Sequence, residues 1–347
     1  MEINPMNQEQ NISDRKLDHI RINLEKDVRS KRSTGLEHIE LIHSALPELD
    51  LDQVDPSVVM WKKRLSIPLL ISSMTGGNQE AARINRNLAM AAQQHQIAMG
   101  LGSMRAVLIR PESLETFQVR QWAPDILLFA NFGAVQLNYG YSVDDCRRLI
   151  EVVEADGLIL HLNPLQEALQ PEGDARFGLL LPKIEAVCRQ LEQPVIVKEV
   201  GWGISSAVAQ KLFDAGVAAI DVAGAGGTSW SQVERFRIKD ESRARVAEAF
   251  RGWGIPTVQS IKAVTAVAGD QPVIASGGLQ DGIDLAKCLA LGARLGGIAR
   301  PFLKSAAVSA ETVADTIEEI ALTLKITMFA VGAGNLAELN HSKIREQ

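Results

Sequence analysis

Residues 272–301 read PVIASGGLQDGIDLAKCLALGARLGGIARP. An apolar run ends in two glycines, an amphipathic stretch of helical period follows, and a second apolar run closes on Gly296 and Gly297. Strands buried on both faces of a parallel sheet read as near-continuous apolar runs of this kind, not as alternating ones. The same unit recurs upstream, with strand-like runs beginning near Ile67, Ile97, Ile126, Gly157, Pro194 and Ala218. Helical stretches separate them, such as QEAARINRNLAMAAQQH before the second run and LPKIEAVCRQL before the fifth. Eight alternating units predict an α/β fold, a (β/α)8 TIM barrel. A doubly wound sheet is the alternative, but it commonly has fewer strands and carries its glycine fingerprint at the first turn. Here the richest glycine motifs follow runs six, seven and eight.

Two regions break the rhythm. Residues 1–66 form an N-terminal extension or cap, whose first dozen or so residues are expected to lack order, and residues 67–347 form the barrel. A long insertion after strand 6, from Thr228 to Pro256, carries Trp230 and Trp253 and reads as a lid, an interface or an ordered surface excursion. The last 40 residues read as a helical segment broken at VGAGN. Lys and Arg total 36 against 42 Asp and Glu, a net charge of −6, which argues against a nucleic-acid partner. No apolar run approaches the roughly 20 residues that a membrane helix needs. Cys146, Cys188 and Cys288 lie in helical stretches with no CxxC spacing, the pattern of packed, reduced thiols in a cytoplasmic protein.

Barrel enzymes build their sites at the C-terminal ends of the strands. That rule selects Ser73, Met74 and Thr75 after strand one, Ser103 and Arg105 after strand two, and Asn131 on strand three. It selects His161, Asn163, Gln166 and Glu167 at strand four, and Lys198 and Glu199 on strand five. Thr228 follows strand six, Gly277 and Gly278 strand seven, and Ala299 and Arg300 strand eight. A lysine in the apolar strand VIVKEV needs an anionic partner. Either Lys198 faces a ligand or it pairs internally, with Glu199 disfavoured because neighbouring strand residues face opposite ways. Gly-Gly turns leading into helices present backbone N–H groups to a phosphate, and phosphate sites after strands seven and eight recur in barrels.

This arrangement resembles the FMN-dependent barrels of the hydroxyacid oxidase type. The resemblance implies FMN, with Thr75 and Asn131 at an edge of the isoalloxazine and Lys198 at its N1–O2 side. In those oxidases strand six ends in His-Gly-Gly-Arg. Here Ala225 replaces the histidine and Thr228 the arginine, so hydride removal from a hydroxyacid is not expected.

The motifs RKLDH (15–19), SMTGG (73–77), GSMR (102–105), HLNPLQE (161–167), VIVKEVGWG, AGAGGTSW, ASGGLQDG and IARP resemble, in order and over nearly the whole chain, the type 2 isopentenyl-diphosphate isomerases. That family implies isomerisation of isopentenyl diphosphate to dimethylallyl diphosphate for isoprenoid biosynthesis. Reduced FMN would act as an acid/base or charge-stabilising group, NAD(P)H as its reductant, and Mg2+ on the diphosphate. The resemblance implies substrate contacts at Arg15, Lys16, Ser103, Arg105, His161, Asn163 and Gln166, with Gln166 beside the reacting carbons as the catalytic residue alongside reduced FMN, orienting or relaying a proton, and Glu167 as the metal ligand. Flavin contacts are implied at Ser73, Met74, Thr75, Ser103, Asn131, Lys198, Thr228, Gly277, Gly278, Ala299 and Arg300. The family also implies a homo-oligomer, a tetramer or octamer. A flavin oxidoreductase and a catalytically idle phosphate-binding barrel are the competing readings.

Overall fold

The computed structural model describes residues 5–347, with side chains from Arg15 onward. All eight runs become parallel strands: β1 (Leu69–Ile71), β2 (Ala98–Gly100), β3 (Leu128–Gly133), β4 (Gly157–Leu162), β5 (Val195–Glu199), β6 (Ala219–Asp221), β7 (Val273–Ser276) and β8 (Leu295–Ile298). Each pairs with the next, and β8 returns to β1 with Gly296 opposite Leu69, closing the barrel. The expected (β/α)8 architecture is the one that forms.

The period of two along each strand explains both the core and the site. One inward layer takes a residue from every strand: Leu70, Ala98, Phe129, Ile159, Ile196, Ala219, Ile274 and Leu295, all buried. A two-residue hairpin between Val58–Met60 and Lys63–Leu65 plugs the layer from below, with Trp61 edge-on to Phe129 at 5.5 Å. Two residues further along each strand, the inward positions are Ser72, Gly100, Asn131, His161, Lys198, Asp221, Ser276 and Gly297. The interior thus turns from apolar to polar in one step, at the C-terminal mouth.

The mouth is covered from two sides. Helix α1 (Pro5–Glu25) reaches over it, Lys16 donating to the Ser103 carbonyl at 2.8 Å. Of the first dozen residues expected to lack order, residues 1–4 lie outside the described residues, and the backbone from Pro5 is helical. After β4 comes a short helix, α2 (Pro164–Leu169); the insertion after β6 folds into α3 (Trp230–Arg237) and α4 (Glu241–Ala249).

The chain's last stretch departs from expectation. Its helix, Ala310–Ala330, ends before Gly332, whose φ of +66° stops the helix. Beyond it, instead of a further helix, a 3-10 turn leads to the strand Ile344–Glu346, antiparallel to Ile39–Leu41 of the extension.

Candidate active site

Two adjoining cavities occupy the mouth and share Lys16, His19, Ser73, Met74, Lys198, Val200 and Trp230 as common wall. The larger, about 460 Å³, is lined by the ends of β1, β6, β7 and β8: Ser72, Thr75, Gly226, Gly227, Thr228, Ser276, Gly277, Gly278, Ala299 and Arg300. Such a volume suits a cofactor, since ligand pockets commonly span roughly 300–1,000 Å³. Gly277 has a φ of +106°, and a Cβ there would lie 2.1 Å from the Gly224 carbonyl oxygen. Only glycine lets the β7 turn pass so close to the β6 loop. The Ser72, Ser73 and Thr75 hydroxyls and the Arg300 Nε are buried without a hydrogen-bond partner. Such groups are costly unless a ligand meets them, so this wall fits a polar, phosphate-bearing cofactor.

The smaller cavity, about 150 Å³, gathers Arg15, Ser103, Arg105, Asn131, Gln136, His161, Asn163, Gln166 and Glu167. His161 Nδ1 donates to Asn131 Oδ1 at 2.9 Å. Burial, helped by Lys198, Lys16 and Arg15, pushes the imidazole down to about 4, so the ring is neutral. Burial, with Arg15 and Arg110 nearby, brings the Lys16 ammonium down to about 7. Arg15, Lys16, Arg105 and Lys198 against the single carboxylate of Glu167 make the wall of this chamber predominantly basic.

Opposite the cations, Asn163 donates to Gln166 Oε1 at 3.2 Å and to Glu167 Oε1 at 2.8 Å, and the Asp174 N–H donates to Glu167 Oε2 at 2.7 Å. Burial lifts the Glu167 carboxyl above its usual range against these bonds. Among the described residues no group of three or more His, Cys, Asp or Glu could hold a metal by itself. Any ion beside Glu167 must complete its shell from ligand oxygens and water, the habit of Mg2+. The site therefore fits that metal only together with a phosphate-bearing ligand.

Gln166 is held at both ends: besides accepting from Asn163, its Nε2 donates to Glu234 Oε1 at 2.9 Å. His19 Nε2 donates to the same oxygen at 3.1 Å, and Arg237 Nη1 to Oε2 at 2.6 Å. Burial alone would raise Glu234; His19 and the Arg237 guanidinium overcome it and bring the carboxyl down to about 2. The insertion thus reaches the site through Glu234 and Trp230, and α1 joins it through His19.

Every candidate residue from strand ends and α1 except Glu199 lines one cavity or the other, but the assignments divide. Thr75, Thr228, Gly277, Gly278, Ala299 and Arg300 line only the larger; Asn131 and Ser103, expected at the flavin, line only the smaller. Lys198 lines both, and its ion-pair partner is Asp221 on β6, at 3.0 Å. Glu199 faces away and accepts the N–H groups of Val200, Gly201 and Trp202 at 2.6–2.8 Å. Arg105, expected to contact an anion, lines the smaller cavity and donates to Asp174 at 2.5 Å. The cysteines stand apart from the site, with burial pushing the Cys146 thiol up to about 12 and the Cys188 thiol to about 11.

Asp221, Glu234 and Asp174 were not singled out by the sequence. Asp221 carries a signal of its own, an acid in the apolar strand AAIDVAG. Glu234 carries none, being one of many charges in the insertion.

The fold and the glycine-walled cavity define a flavin-type α/β barrel, and residues 166–346 match the family model described as FMN-dependent dehydrogenase. Solved structures of mandelate oxidase (TM-score 0.67, 17% identity, 96% of this chain and 94% of that one) and flavocytochrome b2 (TM-score 0.67, 16% identity, 92% and 79%) share the fold. The isopentenyl-diphosphate delta-isomerase of Nostoc sp. is 51% identical over 329 residues, 94% of each chain. That of Rickettsia felis is 50% identical over 341 residues, 98% of this chain and 99% of its own. The chain belongs to the type 2, FMN-dependent isopentenyl-diphosphate delta-isomerase family.

Proposed function

We infer that the protein isomerises isopentenyl diphosphate to dimethylallyl diphosphate in isoprenoid biosynthesis, moving a double bond with no net redox change. The observation that carries the reading is the shared wall between a glycine-lined cofactor cavity and a cationic chamber containing one carboxylate. FMN, active when reduced by NAD(P)H, supplies a ring that can exchange a proton or balance positive charge at the tertiary carbon. Ser72, Ser73, Thr75, Thr228, Gly277, Gly278, Ala299 and Arg300 hold it in the larger cavity. Lys198 meets its electron-rich edge.

In the smaller cavity Arg15, Lys16, Ser103, His161 and Asn163 grip the diphosphate, and Glu167 holds Mg2+ against it. The incoming anion competes with Asp174 for Arg105. Gln166 is an orienting residue: an amide is too weakly basic for ordinary proton transfer, and both ends of this one are already bonded. Holding the allylic carbons against the ring is the contribution such positioning makes to rate. Helix α1 and the insertion, joined through Glu234, exclude water from above.

A homo-oligomer, a tetramer or octamer, is part of the proposal, supported by Leu322 and Ile326, exposed one helical turn apart on Ala310–Ala330. A cytoplasmic setting is supported by three unpaired cysteines. No described helix is long and apolar enough to cross a membrane.

The test is an anaerobic assay of the FMN-loaded protein with isopentenyl diphosphate and Mg2+. Dimethylallyl diphosphate should form with dithionite-reduced flavin and not with oxidised flavin. Equal turnover in both states would refute the reading.

A further inference from the structure

Asp221 is completely buried, yet it belongs to the wall of neither cavity. It stands on β6 in register with Lys198 on β5. Its Oδ2 lies 3.0 Å from Lys198 Nζ, and its Oδ1 accepts the Ser276 hydroxyl at 2.5 Å. Lys198 Nζ in turn donates to Ser276 Oγ at 3.2 Å, so carboxylate, ammonium and hydroxyl form a closed ring across β5, β6 and β7. Of the two charges only the lysine reaches the cavities, one of which is the proposed FMN site.

We propose that Asp221 is a positioning residue that acts through Lys198, aiming its ammonium at the flavin and moderating the positive charge the reduced ring meets. The inference rests on the FMN reading above. Reduction adds negative charge to the ring system; Lys198 favours that charge and Asp221 opposes it. A buried ammonium and carboxylate this close present a dipole to their surroundings instead of a full charge. The ring of bonds therefore sets how far the barrel floor favours reduced over oxidised flavin.

The test is the midpoint potential of bound FMN, measured by anaerobic dithionite titration against a reference dye. Asp221→Asn leaves the lysine uncompensated, and the reduction equilibrium should shift at least tenfold toward reduced flavin, about +30 mV for a two-electron couple. Asp221→Glu restores the charge and should bring the potential back toward that of the parent. Ser276→Ala withdraws a hydroxyl proton from the carboxylate, leaves both charges in place, and should move the potential the other way. Bound FMN with an unchanged or lowered potential in Asp221→Asn overturns the proposal. If Asp221→Asn does not fold, an unchanged or raised potential in Ser276→Ala overturns it instead. Failure of the parent protein to bind FMN is a different result, and it removes the cofactor reading itself.

Discussion

Glu234→Gln isolates the link between the insertion and the reacting end of the site. The new amide can keep its carbonyl toward His19 and Gln166, which both donate to Oε1. Its NH2 group then faces Arg237, which had donated to Oε2 at 2.6 Å. One charge-assisted bond is lost in a nearly closed environment, and such bonds are worth roughly 1.5–3 kcal/mol. Arg237 keeps Glu172 at 2.8 Å, so the cost should fall near the middle of that range, about 2 kcal/mol. At about 2.1 cal/mol/K per residue, the unfolding entropy of such a chain is about 0.7 kcal/mol/K, so Tm should drop by about 3 °C.

The sign with pH follows from the lowered carboxyl. A folded value of about 2 against an ordinary 4.5 means that the stabilisation is whole above about pH 4.5 and is lost as pH falls toward 2. The Tm gap between parent and variant should accordingly close in acid. Activity should suffer more than stability, because the oxygen that Gln166 donates to is then neutral and no longer anchored through Arg237; kcat should fall by about 10- to 100-fold with KM little changed. The assay is anaerobic turnover with reduced FMN, with flavin absorbance and thermal melting run in parallel. A kcat within twofold of the parent, alongside the lowered Tm, would show that Glu234 is a structural anchor and not a support for Gln166.

Glu167→Gln should raise the Mg2+ concentration for half-maximal activity by more than tenfold and leave flavin absorbance intact; loss of flavin would place Glu167 at the other cavity. Because the free Lys16 ammonium sits near 7 and a diphosphate favours its charged form, substrate binding at pH 8 should take up protons, and affinity should fall as pH rises from 7 to 9. Calorimetric titration in two buffers of different ionisation enthalpy measures that uptake, and its persistence in Lys16→Met would refute the assignment. Gly277→Ala, forced against the Gly224 carbonyl, should weaken FMN binding more than tenfold; parent-like binding would mean that the turn is not the cradle proposed.

The barrel was legible because each strand, buried on both faces, spells itself as an apolar run, and because β7 leads into Gly277 and Gly278, which pack against the loop after β6. Lys198 was legible for the same reason, as a charge where none belongs. Its partner was less so: Asp221 lies 23 residues away on the next strand, brought into register only by barrel closure. Glu234 was hidden among the insertion's other charges, and its meaning depends on α1 delivering His19 from 215 residues away. The pairing of Arg105 with Asp174 was hidden because the chain order says nothing of Asp174 folding back to meet it. The final strand was missed because three residues pairing with the extension leave no periodic pattern of their own.

In the proposed reaction the flavin is needed but not consumed. The most direct measurement is the ratio of NADPH oxidised to dimethylallyl diphosphate formed, followed anaerobically over many turnovers. One reduction of each bound FMN should support many product molecules, so the ratio should sink far below one as product accumulates. A ratio that stays at one NADPH per product would contradict a flavin that is reduced once and reused.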